Sequence, residues 1–210
     1  MGILYEKLGK NLVTDTDIAN VIRGSHDKRY ALLKRALAKG DLIHLRRGLY
    51  LLGKQYQREP LNLFAVAQKI YGPSYISLES ALAHHGWIPE AVRTVTSATS
   101  KRSSLFETPL GVFSFSRIIV SPFLIDVSRE VSGEDSFWIA GPWKAIADYV
   151  YFYKKEWKGI APLLESLRIE EEEILTAKKE TLLELESAYR SRRVKRFLKG
   201  VRKDLERLWG

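Results

Sequence analysis

Residues 14–52 read TDTDIANVIRGSHDKRYALLKRALAKGDLIHLRRGLYLL, and this stretch contains the signals that decide the fold of the first part of the chain. Thr14 is an N-cap candidate with an acidic residue three positions later, and apolar residues then recur at helical spacing. Gly24 interrupts the pattern, and Ser25 can cap a second helix that Gly40 ends. The stretch therefore predicts two helices that meet at a tight turn.

The second predicted helix, residues 26–39, has an apolar stripe and a basic remainder. Its side chains Tyr30, Leu33 and Leu37 repeat at intervals of three and four residues and form the stripe. Four basic residues lie away from that stripe or beside it, namely Lys28, Arg29, Lys34 and Arg35. We therefore expect a cationic solvent side along most of this helix.

A basic hairpin follows the two helices. The apolar runs 42–45 and 49–52 flank Arg46, Arg47 and Gly48, which is the pattern of two short strands joined by a glycine turn. Helix, basic helix and basic-tipped hairpin, in that order, are typical of a winged helix-turn-helix, whose second helix enters the major groove of DNA. We therefore interpret the first 55 residues as a domain that binds double-stranded DNA. The predicted DNA contacts are Ser25, His26, Lys28, Arg29, Lys34, Arg35, Arg46 and Arg47.

The composition is that of a globular protein with a polyanionic partner. Hydrophobic residues make up 45% and charged residues 28% of the 210 positions, which supports a sizeable core and favours two domains over one. The net charge of +9 favours nucleic acid as the partner, because neutralising phosphates releases their condensed counterions. The absence of cysteine excludes disulfide scaffolds, thiolate zinc sites and cysteine nucleophiles.

Residues 60–210 are predicted to form an α+β domain with a small antiparallel sheet and a helical C-terminal region. A polar stretch that ends at Pro60 marks the boundary between the two domains. Periodicity and turn residues predict helices at 61–71 and 77–85 and strands at 94–99 and 137–140. A tight turn at 108–111, the alternating residues 112–116 and the apolar residues 118–120 predict a β-hairpin or meander. A further helix begins at Pro142, and the sequence from residue 160 is nearly all helical with no breaker until Gly200.

Several segments resemble one known family. Residues 73–90, PSYISLESALAHHGWIPE, followed by VTSATSKR at 95–102 and TPLG at 108–111, resemble the AbiEi antitoxin family. The segments AGPWKAIAD at 140–148 and RGLY at 47–50 are also similar to that family. The resemblance covers most of residues 1–155.

The resemblance implies a transcriptional regulator that belongs to a toxin-antitoxin system of phage abortive infection. It implies that the winged helix represses its own operon at inverted repeats, and that the second domain counters a co-encoded nucleotidyltransferase-like toxin. We expect a cytoplasmic protein without cofactor or membrane contact, because the first eleven residues contain no signal-like apolar stretch. We expect a monomer in solution that can pair on DNA.

The C-terminal tail is strongly basic. Its cations are Arg190, Arg192, Arg193, Lys195, Arg196 and Lys199, with Arg202 and Lys203 beyond them. Val194, Phe197, Leu198 and Val201 form a narrow apolar stripe on the same segment. The tail can add phosphate contacts or bind an acidic toxin, and the alternative is a docked helix whose charges lie in water.

Catalytic and metal chemistry are not expected. His84 and His85 are adjacent, so on a helix they point about 100 degrees apart and cannot share a metal ion as an i, i+4 pair would. The carboxylates Asp126, Glu134 and Asp135 are too sparse for a metal-dependent nuclease. The tryptophans at 87, 138 and 143 lie among apolar neighbours and are predicted to be core residues. We therefore predict a binding protein without catalytic residues, and the alternative function is a protein-interaction module that neutralises a toxin directly, without specific DNA binding.

Overall fold

The computed structural model describes residues 10–22, 24–57, 60–90, 92–133 and 135–209. These residues form a mixed α+β fold with two β-sheets, which confirms the predicted fold class. Residues 1–9 of the predicted DNA-binding domain and Glu134 lie outside the described residues. Among the helices that are described, none is long and apolar enough to cross a membrane.

The first part of the chain forms three strands and two helices. The elements are β1 (Leu12–Thr14), α1 (Asp15–Val21), α2 (His26–Ala38), β2 (Leu42–Arg46) and β3 (Leu49–Leu52), followed by a 3₁₀ turn at Lys54–Tyr56. The predicted cap of α1 is present: the Thr14 hydroxyl accepts from the backbone N–H of Asp17 at 3.2 Å, and the Asp17 carboxylate accepts from the backbone N–H of Thr14 at 2.8 Å. Strand β1 is not predicted from the sequence, because three residues are too few to show alternation.

The three strands form an antiparallel sheet in the order β1-β3-β2. Alternation along β3 directs Tyr50 and Leu52 into a small core shared with α1 and α2. Leu49 and Leu51 point the other way and belong to the large core of the molecule. The sheet therefore lies between the two N-terminal helices and the rest of the chain.

The second part contains a larger sheet and three helices. The elements are α3 (Leu63–Ile70), β4 (Ser74–Ile76), α4 (Leu78–His84), β5 (Val95–Thr99), β6 (Ser104–Thr108), β7 (Gly111–Arg117), β8 (Val127–Ser132), β9 (Asp135–Ala140) and α5 (Pro142–Phe152). The six strands form one sheet in the order β6-β7-β5-β4-β9-β8. The pairs β5–β7 and β4–β9 are parallel. The predicted small antiparallel sheet is therefore wrong: the sheet is larger and mixed.

Strands β4 and β8, which the sequence does not reveal, make the sheet larger than predicted. Strand β4 has only three residues, and β8 reads VSREVS, in which charged and exposed residues hide the pattern of a strand. The predicted hairpin is formed by β6 and β7; β7 ends at Arg117, and Val120 makes only an isolated bridge to Tyr189. Pairing between strands that are distant in the sequence cannot be read from local alternation.

The C-terminal region is helical, as predicted, and consists of four helices. They are α6 (Ala161–Leu167), α7 (Glu171–Leu175), α8 (Lys179–Ala188) and α9 (Arg192–Trp209). Helices α8 and α9 pack on each other and on α5. Gly200 does not end a helix, as the sequence suggested, but lies inside α9. A Cβ atom at this position would come within 2.7 Å of the backbone nitrogen of Gly159. This glycine therefore serves close packing and not helix termination.

Candidate nucleic-acid interface

Helix α2 is positioned by its cap and by a partly buried apolar side. The Ser25 hydroxyl accepts from the backbone N–H of Lys28 at 3.4 Å, and Gly24 precedes it with a φ of +135°, which favours glycine. Ala36 is buried, and Leu33 and Leu37 pack against the small core. The helix is therefore fixed on the sheet through its second half.

The opposite side of α2 is exposed and mainly basic. The exposed predicted contacts on this helix and its cap are Ser25, His26, Lys28, Lys34 and Arg35. The Arg35 side chain donates from Nε to the carbonyl of Ala31 at 3.2 Å, along its own helix. In the part of the chain that the structure describes, no carboxylate pairs with Lys28, Lys34 or Arg35. Their charges are therefore available to an anionic partner.

Arg29 is placed differently from the other predicted contacts. Its side chain is half-buried, and its Nη1 donates to the carbonyl of Gly24 at 2.9 Å. The guanidinium therefore closes the turn between α1 and α2 and does not extend from the exposed side of the helix.

The solvent exposure of Tyr30 also differs from what its place on the apolar stripe suggests. The sequence places it on the apolar stripe of this helix, but the side chain is 62% exposed, unlike Leu33 and Leu37, which pack against the small core. The reason is its place near the start of α2, since the small core is reached by Leu33, Ala36 and Leu37 farther along the helix. Tyr30 thus adds an uncharged aromatic ring to the exposed surface of α2, which sequence reasoning missed.

The predicted hairpin is present and has a two-residue turn. Arg47 and Gly48 connect β2 to β3, and Gly48 has a φ of +74°. The Asp15 backbone N–H donates to the Gly48 carbonyl at 3.3 Å, and a Cβ at Gly48 would lie 3.0 Å from the Asp15 carboxylate. The turn therefore rests against the start of α1 and needs a glycine for two reasons.

The two arginines at this turn have different environments. Arg46 is half-buried and donates from Nη1 to the Arg47 carbonyl at 2.9 Å and from Nη2 to the Lys69 carbonyl at 3.1 Å. It therefore joins the hairpin to the end of α3. Arg47 is exposed, and no described residue binds its guanidinium.

The basic tail is a docked helix whose cations are partly paired. The apolar stripe of α9 is completely buried, which confirms the packing prediction: Val194, Phe197, Leu198 and Val201. Glu156 binds both Arg193, at 2.7 Å, and Arg196, and these hydrogen bonds, that from Arg193 above all, hold the pKa of the Glu156 carboxyl below its usual value. The other predicted tail contacts are exposed and have no acidic partner among the described residues: Arg190, Arg192, Lys195 and Lys199. Arg202 is bound by Glu186 and Glu206.

Helix α5, strand β4 and the end of α8 also hold a buried polar network that the sequence analysis missed. Lys144 and Asp148 form an ion pair at 2.5 Å with no solvent exposure. The Lys144 ammonium also donates to Tyr75 at 2.5 Å and to Tyr189 at 2.8 Å, while Ser77 donates to Asp148 at 2.7 Å. The spacing of four residues between a lysine and an aspartate was the available signal, because it places both on one side of a helix.

Burial dominates the electrostatics of this network. It lowers the pKa of Lys144, although the neighbouring Asp148 favours the charged ammonium. It raises the pKa of the Tyr75 and Tyr189 hydroxyls, and the Asp148 carboxylate adds to that effect. The network connects β4, α5 and the end of α8 and is inaccessible to solvent, so its role is structural.

His84 and His85 form separate hydrogen bonds and do not share one site. His84 contacts Glu130 at 2.9 Å, and His85 contacts the carbonyl of Ala140 at 2.9 Å. Across the described ranges, no cluster of His, Cys, Asp or Glu is arranged to hold a metal ion. Beside His84 lies an open groove of about 520 Å³, lined by apolar side chains such as Phe64 and Phe137 and by polar ones such as Glu130.

Of the three tryptophans predicted to be core residues, two are buried. Trp87 and Trp143 are buried and pack edge to face with ring centroids 5.4 Å apart. Trp138 is 39% exposed, so its predicted core position is wrong; it lies on β9, one strand from the edge of the sheet.

Comparison with known proteins assigns no family to the chain. No family model matches it, and no curated protein is significantly similar to it in sequence. The resemblance to the AbiEi antitoxins therefore stays a prediction, together with its implications for an operon and a toxin.

Proposed function

We propose that this protein is a sequence-specific repressor of its own operon, which binds double-stranded DNA through an N-terminal winged helix-turn-helix. The order β1-α1-α2-β2-β3 and the antiparallel sheet order β1-β3-β2 support this interpretation, because they place a hairpin directly after a capped helix pair. In this proposal α2 is the recognition helix and the turn at Arg47 is the tip of the wing.

The observation that carries the proposal is the exposed basic side of α2. Lys28, Lys34 and Arg35 project from a helix whose opposite side is fixed on the sheet, and no described acidic residue neutralises them. Cations in this arrangement gain free energy on binding phosphates, because counterions are released from the DNA. Arg47 adds a further positive charge at the hairpin turn, where its guanidinium can bind a phosphate or enter the minor groove.

Two of the predicted DNA contacts, Arg29 and Arg46, have supporting roles instead. Arg29 donates to the Gly24 carbonyl and Arg46 to the Lys69 carbonyl, so each orients an element of the interface. We assign direct DNA contacts to Ser25, His26, Lys28, Lys34, Arg35 and Arg47. The exposed tail cations are a further candidate surface for phosphates.

A double variant tests these roles. We expect Lys28→Ala with Lys34→Ala to weaken binding to DNA from upstream of the gene at least tenfold, and to lower the slope of log affinity against log salt by about 1.8, because each phosphate contact contributes about 0.9. The matched control is Lys158→Ala with Lys178→Ala, which removes the same charge from exposed positions elsewhere. Equal binding by both double variants would refute the assignment of α2 as the recognition helix.

The resemblance to the AbiEi antitoxins adds a second role, the neutralisation of a co-encoded nucleotidyltransferase-like toxin. The test is co-expression with the product of the neighbouring gene under an independent promoter, so that repression cannot account for rescue. We expect growth to be restored, and continued toxicity would remove this half of the proposal. A pull-down after nuclease treatment distinguishes direct binding of an acidic toxin by the basic surface from neutralisation without contact.

A further inference from the structure

Tyr30 is the most exposed aromatic side chain among those that the structure describes. It is 62% exposed, compared with 42% for Tyr153 and 39% for Trp138. No described residue binds its hydroxyl, whereas the Tyr153 hydroxyl donates to Glu79 at 2.8 Å. An aromatic side chain that is mostly exposed and whose hydroxyl binds no described residue is available to a partner.

The place of Tyr30 on α2 indicates which partner it suits. It is the fifth residue of the helix, in the half that follows the Ser25 cap and lies beyond the small core. His26 and Lys34 lie one turn before and one turn after it, and both are exposed. The uncharged ring thus lies one turn from the Lys34 ammonium and one turn from His26, whose ring also contacts the Asp27 carboxylate at 3.8 Å, near the end of the helix that meets base edges in helix-turn-helix proteins.

We propose that Tyr30 is a specificity-determining residue that reads base edges in the major groove, an inference that rests on the proposed function. Lysine and arginine on phosphates fix position without reading sequence, and a tyrosine hydroxyl on a phosphate would do the same, whereas the apolar ring of Tyr30 gains nothing from a phosphate. Its ring suits the 5-methyl group of thymine, and its hydroxyl can donate to or accept from a base edge. Tyr30 therefore accounts for discrimination, while the cations around it account for affinity.

The experiment begins with selection of preferred sites from random duplex DNA by the wild-type protein. Affinities for the selected site and for random DNA are then measured for wild type and Tyr30→Ala. We expect Tyr30→Ala to bind the selected site about tenfold more weakly, with binding to random DNA and its salt dependence unchanged. Replacing thymine by uracil in the selected site should weaken wild type to the same degree and leave Tyr30→Ala unaffected.

Three variants make the result specific. Tyr30→Phe keeps the ring and should retain the sensitivity to uracil, which also covers the case in which Tyr30→Ala does not fold. Tyr153→Ala removes an exposed tyrosine from another part of the chain and should bind like wild type. Lys34→Ala should weaken binding to selected and random DNA alike, and thermal melting of each variant verifies its fold.

The outcomes separate the two proposals. A wild-type protein that enriches no sequence overturns the proposed function and this inference together. Enrichment by wild type, with Tyr30→Ala binding the selected site equally well, overturns only the role of Tyr30. Sensitivity of wild type and Tyr30→Phe to uracil at one or more positions, absent in Tyr30→Ala, supports it.

Discussion

At the scale of single residues, the Lys144–Asp148 pair depends on the hydroxyls around it. Both charges are completely buried, and Tyr75, Tyr189 and Ser77 supply the hydrogen bonds that replace water. Removing one member leaves the other charge buried without its partner, which is costly even where the intact pair contributes little.

We expect Asp148→Ala to lower the free energy of unfolding by about 3–5 kcal/mol, because the Lys144 ammonium is left uncompensated. Glu156→Ala is the control: it breaks exposed ion pairs with Arg193 and Arg196, which water and salt screen, and should cost far less than loss of the buried pair. Urea unfolding of the variants provides both values. A similar loss of unfolding free energy for the two substitutions would show that the buried pair contributes no more to stability than the exposed one.

The Asp126 carboxyl makes the stability of the fold depend on pH. Burial raises the pKa of its carboxyl, and the nearby Lys144 and His85 offset this only in part. A carboxyl whose folded-state pKa exceeds its unfolded value contributes stability that is complete below the unfolded pKa and is lost as the pH rises through the folded pKa. Ionised Asp126 therefore destabilises the fold near neutral pH.

We expect Asp126→Asn to be more stable than wild type near neutral pH, with an advantage that shrinks as the pH falls to about 4. Asparagine keeps the shape and tolerates the left-handed backbone at this position, where φ is +49°. Denaturant unfolding of both proteins across this pH range is the measurement. An advantage of constant size at every pH would contradict the raised pKa.

At the scale of elements, the packing of α9 depends on Gly200. In an exposed helix interior, alanine in place of glycine stabilises by about 1 kcal/mol, but here the new Cβ would lie 2.7 Å from the backbone nitrogen of Gly159. We expect Gly200→Ala to destabilise by about 1–3 kcal/mol, the range for an overpacked core. Thermal and urea unfolding beside Lys199→Ala, an exposed neighbour, measures the effect. A more stable Gly200→Ala protein would show that the contact relaxes freely.

Elements with strong local signals could be predicted from the sequence. The capping residues Thr14 and Ser25, the two-residue turn at Gly48 and the proline start of α5 each follow from backbone preferences of one or two residues. The short strand β4 and the polar strand β8 could not be found, because their places are set by pairing across the sheet and not by their own composition.

The candidate interface could be predicted only in part, for a related reason. The charge on Lys28 and Lys34 is visible in the sequence, and solvent exposure follows from helical periodicity. The directions of Arg29 and Arg46 depend on which backbone carbonyl lies within reach, and the exposure of Tyr30 depends on where the small core ends. Tertiary packing sets these side-chain directions and this exposure, so helical periodicity cannot predict them.

At the scale of the whole molecule, the predicted domain boundary does not separate two independent cores. Leu49 and Leu51 of the three-stranded sheet belong to the same core as the six-stranded sheet, and Arg46 binds the end of α3. We therefore expect a single unfolding transition by calorimetry, with equal calorimetric and van't Hoff enthalpies. Leu51→Ala should shift the whole transition to lower temperature, because it opens a cavity in the shared core. Two separate transitions, only one of which moves in this variant, would be the opposite result.

The measurement that tests specific DNA recognition most directly compares two duplexes of equal length and composition, one from upstream of the gene and one scrambled, over a series of salt concentrations. We expect the upstream duplex to bind tighter by a factor on the order of 10³ or more near physiological salt, with both affinities falling as salt rises. Equal affinity for the two duplexes at every salt concentration would contradict the proposed function.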